Sequence, residues 1–269
     1  MLPDLARIHV YDAALVTTDP VRTRWAAGEP ALAAWLTLES PSAAGIVVSA
    51  GFDAVVVDLQ HGHATLQDLP HLLAAIEPSE VFPFVRASWN DPAELMRCLD
   101  LGARGVICPM IGSRIEADAF VAACRYPPTG LRSYGPIRAA LGAGHEQTTA
   151  AESTILLFAM IETADGLANV EEIAATPGLD GLFVGPADLS LALGLTTFAD
   201  LADPDLLEHL DTILEAGNRH GITAGIHAPS PSRAAEMATR GFRFVSCAVD
   251  EDLLRDAAET AFGTTLSGG

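Results

Sequence analysis

The chain contains no lysine: all 15 of its basic residues are arginine, against 35 aspartates and glutamates. The first absence excludes any carbonyl chemistry that passes through a lysine imine. The shortage of positive charge, a formal net charge of −20, excludes nucleic acid as a partner, because a phosphate backbone is held by an excess of lysine and arginine. It does not exclude an anionic small molecule, since a bound cation and one local arginine override the global field. Cysteine is scarce too. Cys98, Cys108, Cys124 and Cys247 form no C-x-x-C pair, which predicts reduced thiols and a cytoplasmic protein. Mean hydropathy is high at +0.29, yet no apolar run approaches the ~18 to 20 residues of a membrane span, so no membrane is expected. The start, MLPDLARIHVYD, carries acids and lacks the apolar segment of a secretory signal. A poorly packed extension is expected over residues 1–20, followed by one domain over 21–269.

What is present is an alternation of short apolar runs with longer amphipathic stretches. The runs read as strands at 34–38, 54–59, 82–87, 105–110, 155–162, 181–185, 222–228 and 242–248. Helical patterns separate them, and Gly51, Gly102, Gly221 and Gly241 stand where a helix would end in a left-handed residue. Eight βα units in 269 residues predict an α/β fold, a (β/α)8 TIM barrel. An open doubly wound sheet would want a glycine-rich phosphate turn after an early strand, and none is present. The longest irregular stretch, 126–150, is expected on the face that carries the strand C-termini.

In such a barrel the chemistry gathers at strand C-termini. Those ends offer Trp35, then Asp58, Gln60 and His61, then Arg86, then Glu162, then Gly185, Pro186, Ala187 and Asp188. Glu162 and Asp188 close two successive strands, and their pairing suits a hard divalent cation with open positions: Mg²⁺, Mn²⁺ or Co²⁺ rather than zinc. Each could instead be a solvated acid, and Asp188 a helix cap. Arg86 could hold a ketone oxygen and the enolate that develops from it, or could pair with a structural acid. His61 could exchange a proton or be structural, and an imidazole titrates near neutrality.

The segments GFDAVVVDLQHGHA, PFVRASWNDPAELMRCLDLGARGVICPM, RYPPTGLRS and VGPADLSLALG occur in an order that resembles the HpcH/HpaI family of metal-dependent pyruvate aldolases. The resemblance runs from about Trp35 to the C-terminus. It implies a pyruvate-type barrel, a hexamer (trimer of dimers) and a last helix exchanged between subunits. It also implies reversible cleavage of a 4-hydroxy-2-keto acid to pyruvate and an aldehyde. By that likeness Glu162 and Asp188 hold the metal, Arg86 the C2 oxygen, and His61 moves the proton. Asp58 and Gln60 bond water, backbone at Gly185 to Asp188 meets the substrate carboxylate, and Asp100 partners a histidine across a subunit contact. Three positions depart from the family pattern: Gln60 replaces a glutamate, Met160 a glutamine, and His227 a small or apolar residue, which could give it a role at the acceptor side of the site. Rival readings are a lyase for malyl- or citramalyl-CoA, an oxaloacetate decarboxylase, and a catalytically silent assembly subunit.

Overall fold

The computed structural model describes residues 19–135 and 153–267. Eight parallel strands close into a barrel in chain order: β1 (Ala31–Leu36), β2 (Ala54–Asp58), β3 (Phe82–Arg86), β4 (Gly105–Cys108), β5 (Leu156–Ile161), β6 (Gly181–Val184), β7 (Thr223–His227) and β8 (Phe244–Val249). The outer layer holds α2 (Pro41–Val48), α3 (Leu69–Ile76), α4 (Pro92–Asp100), α5 (Arg114–Cys124), α6 (Ala164–Ala168), α7 (Val170–Ala174), α8 (Pro186–Ala192), α9 (Pro204–His220), α10 (Pro231–Arg240) and α11 (Asp250–Ser267), with α1 (Pro20–Ala26) lying before β1. The expected barrel is therefore present. The greater part of the 1–20 extension (residues 1–18) and residues 136–150 of the long loop lie outside the described residues. Pro20 opens α1, whose first turn Asp19 caps by accepting from the Arg22 amide.

The glycines expected to end helices do so. Gly51, Gly102, Gly221 and Gly241 all have positive φ, where a side chain would be strained. Two strand limits move for identifiable reasons. β1 ends at Leu36 because the Thr37 and Leu38 amides turn away to the carboxylate of Asp250. β4 ends at Cys108, short of the expected residue 110, because Met110 is left-handed, at φ 58°.

Side chains alternate across each strand. One set, Ala33, Trp35, Val56, Phe82, Phe84, Phe158, Met160, Phe183 and Phe244, fills the barrel interior. The other set, including Val55, Val57 and Val85, packs under the helices. Phe244 touches Phe84, Phe158 and Phe183 with ring centroids 4.7, 5.3 and 6.0 Å apart. Gly105 makes room for this stack, since a Cβ there would lie 2.2 Å from the Phe84 ring. Continuing the inward register one step past the packed layer brings Asp58 after Val56, Arg86 after Phe84, and Glu162 after Met160. The period of two thus delivers three charged residues to one mouth.

Candidate active site

At the C-terminal mouth a cavity of about 220 Å³ is lined by Trp35, Thr37, Asp58, Arg86, Met160, the run Gly185 to Asp188, His227 and Val249. Glu162 stands at its edge. A Cβ on Gly185 would come within 2.5 Å of Glu162 Oε2 and 2.6 Å of Met160 Cε, so glycine is what lets the carboxylate stand there. A wider cleft of about 350 Å³ lies beyond Met110, around Gly112, Ser113 and Glu116. Its Glu116 is taken up by the Gly112 amide and the Ser113 hydroxyl, and no arginine lines it. The smaller cavity is the better candidate.

Asp58 and Arg86 form one unit. Arg86 Nε donates to Asp58 Oδ1 at 2.9 Å and Nη2 donates to Oδ2. Trp35 Nε1 donates to Oδ2 at 3.0 Å, and the Gln60 and His61 amides donate to Oδ1 at 2.9 and 3.1 Å. Burial pushes the Asp58 carboxyl up, but the Arg86 bonds and charge, then the Trp35 N–H and the His61 amide, outweigh it and hold it below the usual range. The Arg86 guanidinium also sits 5.1 Å from the Trp35 ring centroid. Nη1 takes no part in the pair.

Glu162 is the opposite case. It is 2% exposed. Oε1 accepts from the Met110 amide at 2.8 Å, whereas Oε2 is buried with no hydrogen-bond partner among the described residues. Burial pushes this carboxyl up to about 7; the Met110 amide opposes the shift and the nearby Asp188 charge adds to it. Uncompensated buried carboxylate oxygens are costly. Here the cost is accompanied by a second acid, half-buried Asp188, in the cavity wall. Met110 occupies a conformation unfavourable for a residue with a side chain, and in it aims its N–H at Glu162.

His227 is the third feature. Its Nδ1 lies 2.7 Å from the fully buried Ser246 hydroxyl, and its ring meets the Trp35 indole edge-on at 5.2 Å. Burial, then the charge of Arg86, push it down to about 4.

Of the residues singled out from sequence, the cavity gathers Trp35, Asp58, Arg86, Gly185, Pro186, Ala187 and Asp188, with Glu162 beside them. It does not gather Gln60, His61 or Asp100. His61 is exposed outside the lining. Gln60 is half-buried, with its amide oxygen unpartnered. Asp100 accepts from Arg132 Nη2 at 2.8 Å, away from the cavity lining. Met110 and Ser246 were missed, because a backbone amide and a hydroxyl from the middle of a strand carry no motif. The one available signal for Ser246 was a polar residue at an inward position of FRFVSCA.

The sequence model of the HpcH/HpaI aldolase/citrate lyase family matches residues 32–257. A hydroxypyruvate/pyruvate aldolase of Rhizorhabdus wittichii is 40% identical over 238 residues, covering 88% of this chain and 95% of that protein. A 4-hydroxy-2-oxo-heptane-1,7-dioate aldolase of Salmonella typhimurium is 33% identical, covering 87% of this chain and 89% of that protein. Among solved structures, an HpcH/HpaI aldolase/citrate lyase family protein from Burkholderia cenocepacia superposes with a TM-score of 0.85 at 32% identity, covering 92% of this chain and 99% of that one. The chain belongs to the HpcH/HpaI aldolase/citrate lyase family.

Proposed function

We propose that this family member is an aldehyde lyase that reversibly cleaves 4-hydroxy-2-keto acids to pyruvate and an aldehyde, with the help of a divalent cation. The observation that carries the reading is Glu162 Oε2: buried, unpartnered, beside Asp188 and at the edge of the cavity that holds Arg86. Two adjacent acids with no arginine bonded to either among the described residues fit a cation, and Glu162 and Asp188 are the residues that would hold it. Among the described residues no group of three or more His, Cys, Asp or Glu side chains forms a full cage. Two protein ligands leave positions open to oxygens from outside the chain, as suits Mg²⁺, Mn²⁺ or Co²⁺. When bound, the ion supplies a fixed positive charge that polarises the C2 carbonyl and stabilises the enolate.

The chain's own groups do the rest. Asp58 locks Arg86 Nε and Nη2 and leaves Nη1 to donate to the C2 oxygen, where negative charge develops. The backbone from Gly185 to Asp188 orients the carboxylate, and Trp35 walls the opposite side. His61, exposed outside the cavity lining, takes the C4 hydroxyl proton through an intervening water. The C3–C4 bond then breaks, its electron pair moves into the C2 carbonyl, and the aldehyde leaves. The proton that His61 took returns through water to C3 and completes pyruvate. Asp58, through both its bonds to Arg86 and its bond to the His61 amide, sets the two groups relative to each other.

The assembly belongs to the same reading. No described side chain along α11 is buried beyond Asp250, and Leu253, Leu254 and Phe262 are 48%, 63% and 68% exposed. An 18-residue helix that buries so little against its own chain favours exchange with a second copy, in a hexamer built as a trimer of dimers. Asp100 would act only across such a contact. Four free cysteines favour the cytoplasm. No helix of the described residues is long and apolar enough to cross a membrane.

The test is deuterium exchange at pyruvate C3 in D₂O. Exchange is expected with Mg²⁺, Mn²⁺ or Co²⁺ and is expected to be lost on chelation and in Glu162→Ala. Exchange that survives both would sink the proposal.

A further inference from the structure

We infer that His227 selects the aldehyde half of the reaction, favouring an aldehyde with a hydroxyl on the carbon next to the carbonyl over its deoxy counterpart. This rests on the aldolase reading above and names its substrate class. The polar side chains of the cavity are otherwise committed. Asp58 is saturated by Arg86, Trp35 and two amides. The Thr37 hydroxyl donates to Asp250 Oδ1 at 2.8 Å. Asp188, with Glu162, belongs to the keto-acid half. Met160, Pro186 and Val249 offer only apolar surface.

His227 is different. Its register, two residues beyond Gly225 on β7, turns it into the mouth. Ser246 fixes Nδ1 from a site that is fully buried, and the edge contact with Trp35 fixes the plane of the ring. Nε2 makes no hydrogen bond among the described residues. It is a pre-oriented polar atom on an otherwise apolar wall. Whichever nitrogen carries the proton, a hydroxyl answers it, because a hydroxyl both donates and accepts. The ring is neutral at pH 7, since burial and the Arg86 charge push it down to about 4. A carboxylate-bearing aldehyde therefore gains no ion pair from it, whereas a neutral hydroxyl loses nothing.

The experiment compares kcat/KM for pyruvate addition to glycolaldehyde and to propanal, which have the same number of heavy atoms. The wild-type protein is expected to prefer glycolaldehyde by ~10-fold or more, because a bound substrate lacking the hydroxyl covers Nε2 and leaves it unpaired. The ratio, read independently of absolute rate, is expected to fall to within about 2-fold of unity in His227→Leu and to be partly kept in His227→Asn, which retains an amide. A wild-type ratio near unity, or an unchanged ratio in His227→Leu, overturns the inference while leaving the aldolase reading intact. Should His227→Leu not fold, the wild-type and His227→Asn ratios decide. Absence of C3 exchange in the wild-type protein marks failure of the underlying reading instead, and removes both.

Discussion

Asp180 and Glu162 sit at opposite ends of neighbouring strands, one just before β6 and one just after β5. At the N-terminal end, Asp180 Oδ2 accepts from the Leu157 amide at 2.9 Å and from Arg125 Nη2 at 3.1 Å, and Arg22 lies 3.6 Å from Oδ1. Burial raises its carboxyl, and the amide and both arginines pull it back only in part. Asp53, at the same end, is met by Arg24 Nε and the Leu32 amide. At the C-terminal end, Glu162 has one amide, no arginine bond and a second acid for company. At the N-terminal end both of these acids have charged and amide partners. At the C-terminal end Asp58 is paired and Glu162 Oε2 is not, which costs stability.

Mutation should separate the two ends. Glu162→Ala is expected to lower aldol turnover by ~10³-fold while leaving thermal stability of the metal-free protein unchanged or raised; steady-state assay beside calorimetry checks both. Asp180→Ala is expected to do the reverse. Removing the carboxylate that faces the buried Arg125 should cost about 3–5 kcal/mol in urea unfolding, with kcat of the folded fraction nearly unchanged. A catalytic loss at Asp180 matching that at Glu162 would erase the distinction between the ends.

A pH series sharpens the comparison further. In metal-free protein the folded state keeps the Glu162 proton up to about 7, against an ordinary value of 4.5. Between those values the unfolded chain releases a proton that the folded chain holds. Stability therefore falls as pH rises through this window, by at most about 3 kcal/mol. His227 acts with the opposite sign. Its folded value of about 4 lies below the ordinary 6.5, so stability falls as pH drops from 6.5 toward 4. The two slopes offset each other in the wild-type protein. Glu162→Gln should unmask them, its stability relative to wild type growing from pH 4.5 to 7; a constant difference would contradict the burial of an unpaired carboxylate. The smallest effect is expected for Trp35→Phe, which removes one of several bonds to Asp58. A loss of about 1 kcal/mol is expected from the same unfolding experiment.

Much of this was legible in the chain itself. Strand and helix periods follow from local sequence, because a buried strand and a covering helix each impose their spacing on every residue. The eight runs, the helix-ending glycines and the pair Glu162 and Asp188 could all be read that way. So could the inward placement of Asp58 and Arg86, once the alternation was extended by one step. Which partner each would find was not legible. Arg86 takes Asp58 from 28 positions away, His227 takes Ser246 from a neighbouring strand, and Met110 leaves its strand to reach Glu162. Sequence alone determined that this chain makes a barrel with acids at its mouth. Only closure of the barrel decided which acid is neutralised and which is left bare, because hydrogen bonding and charge depend on distances across the ring that no local pattern encodes.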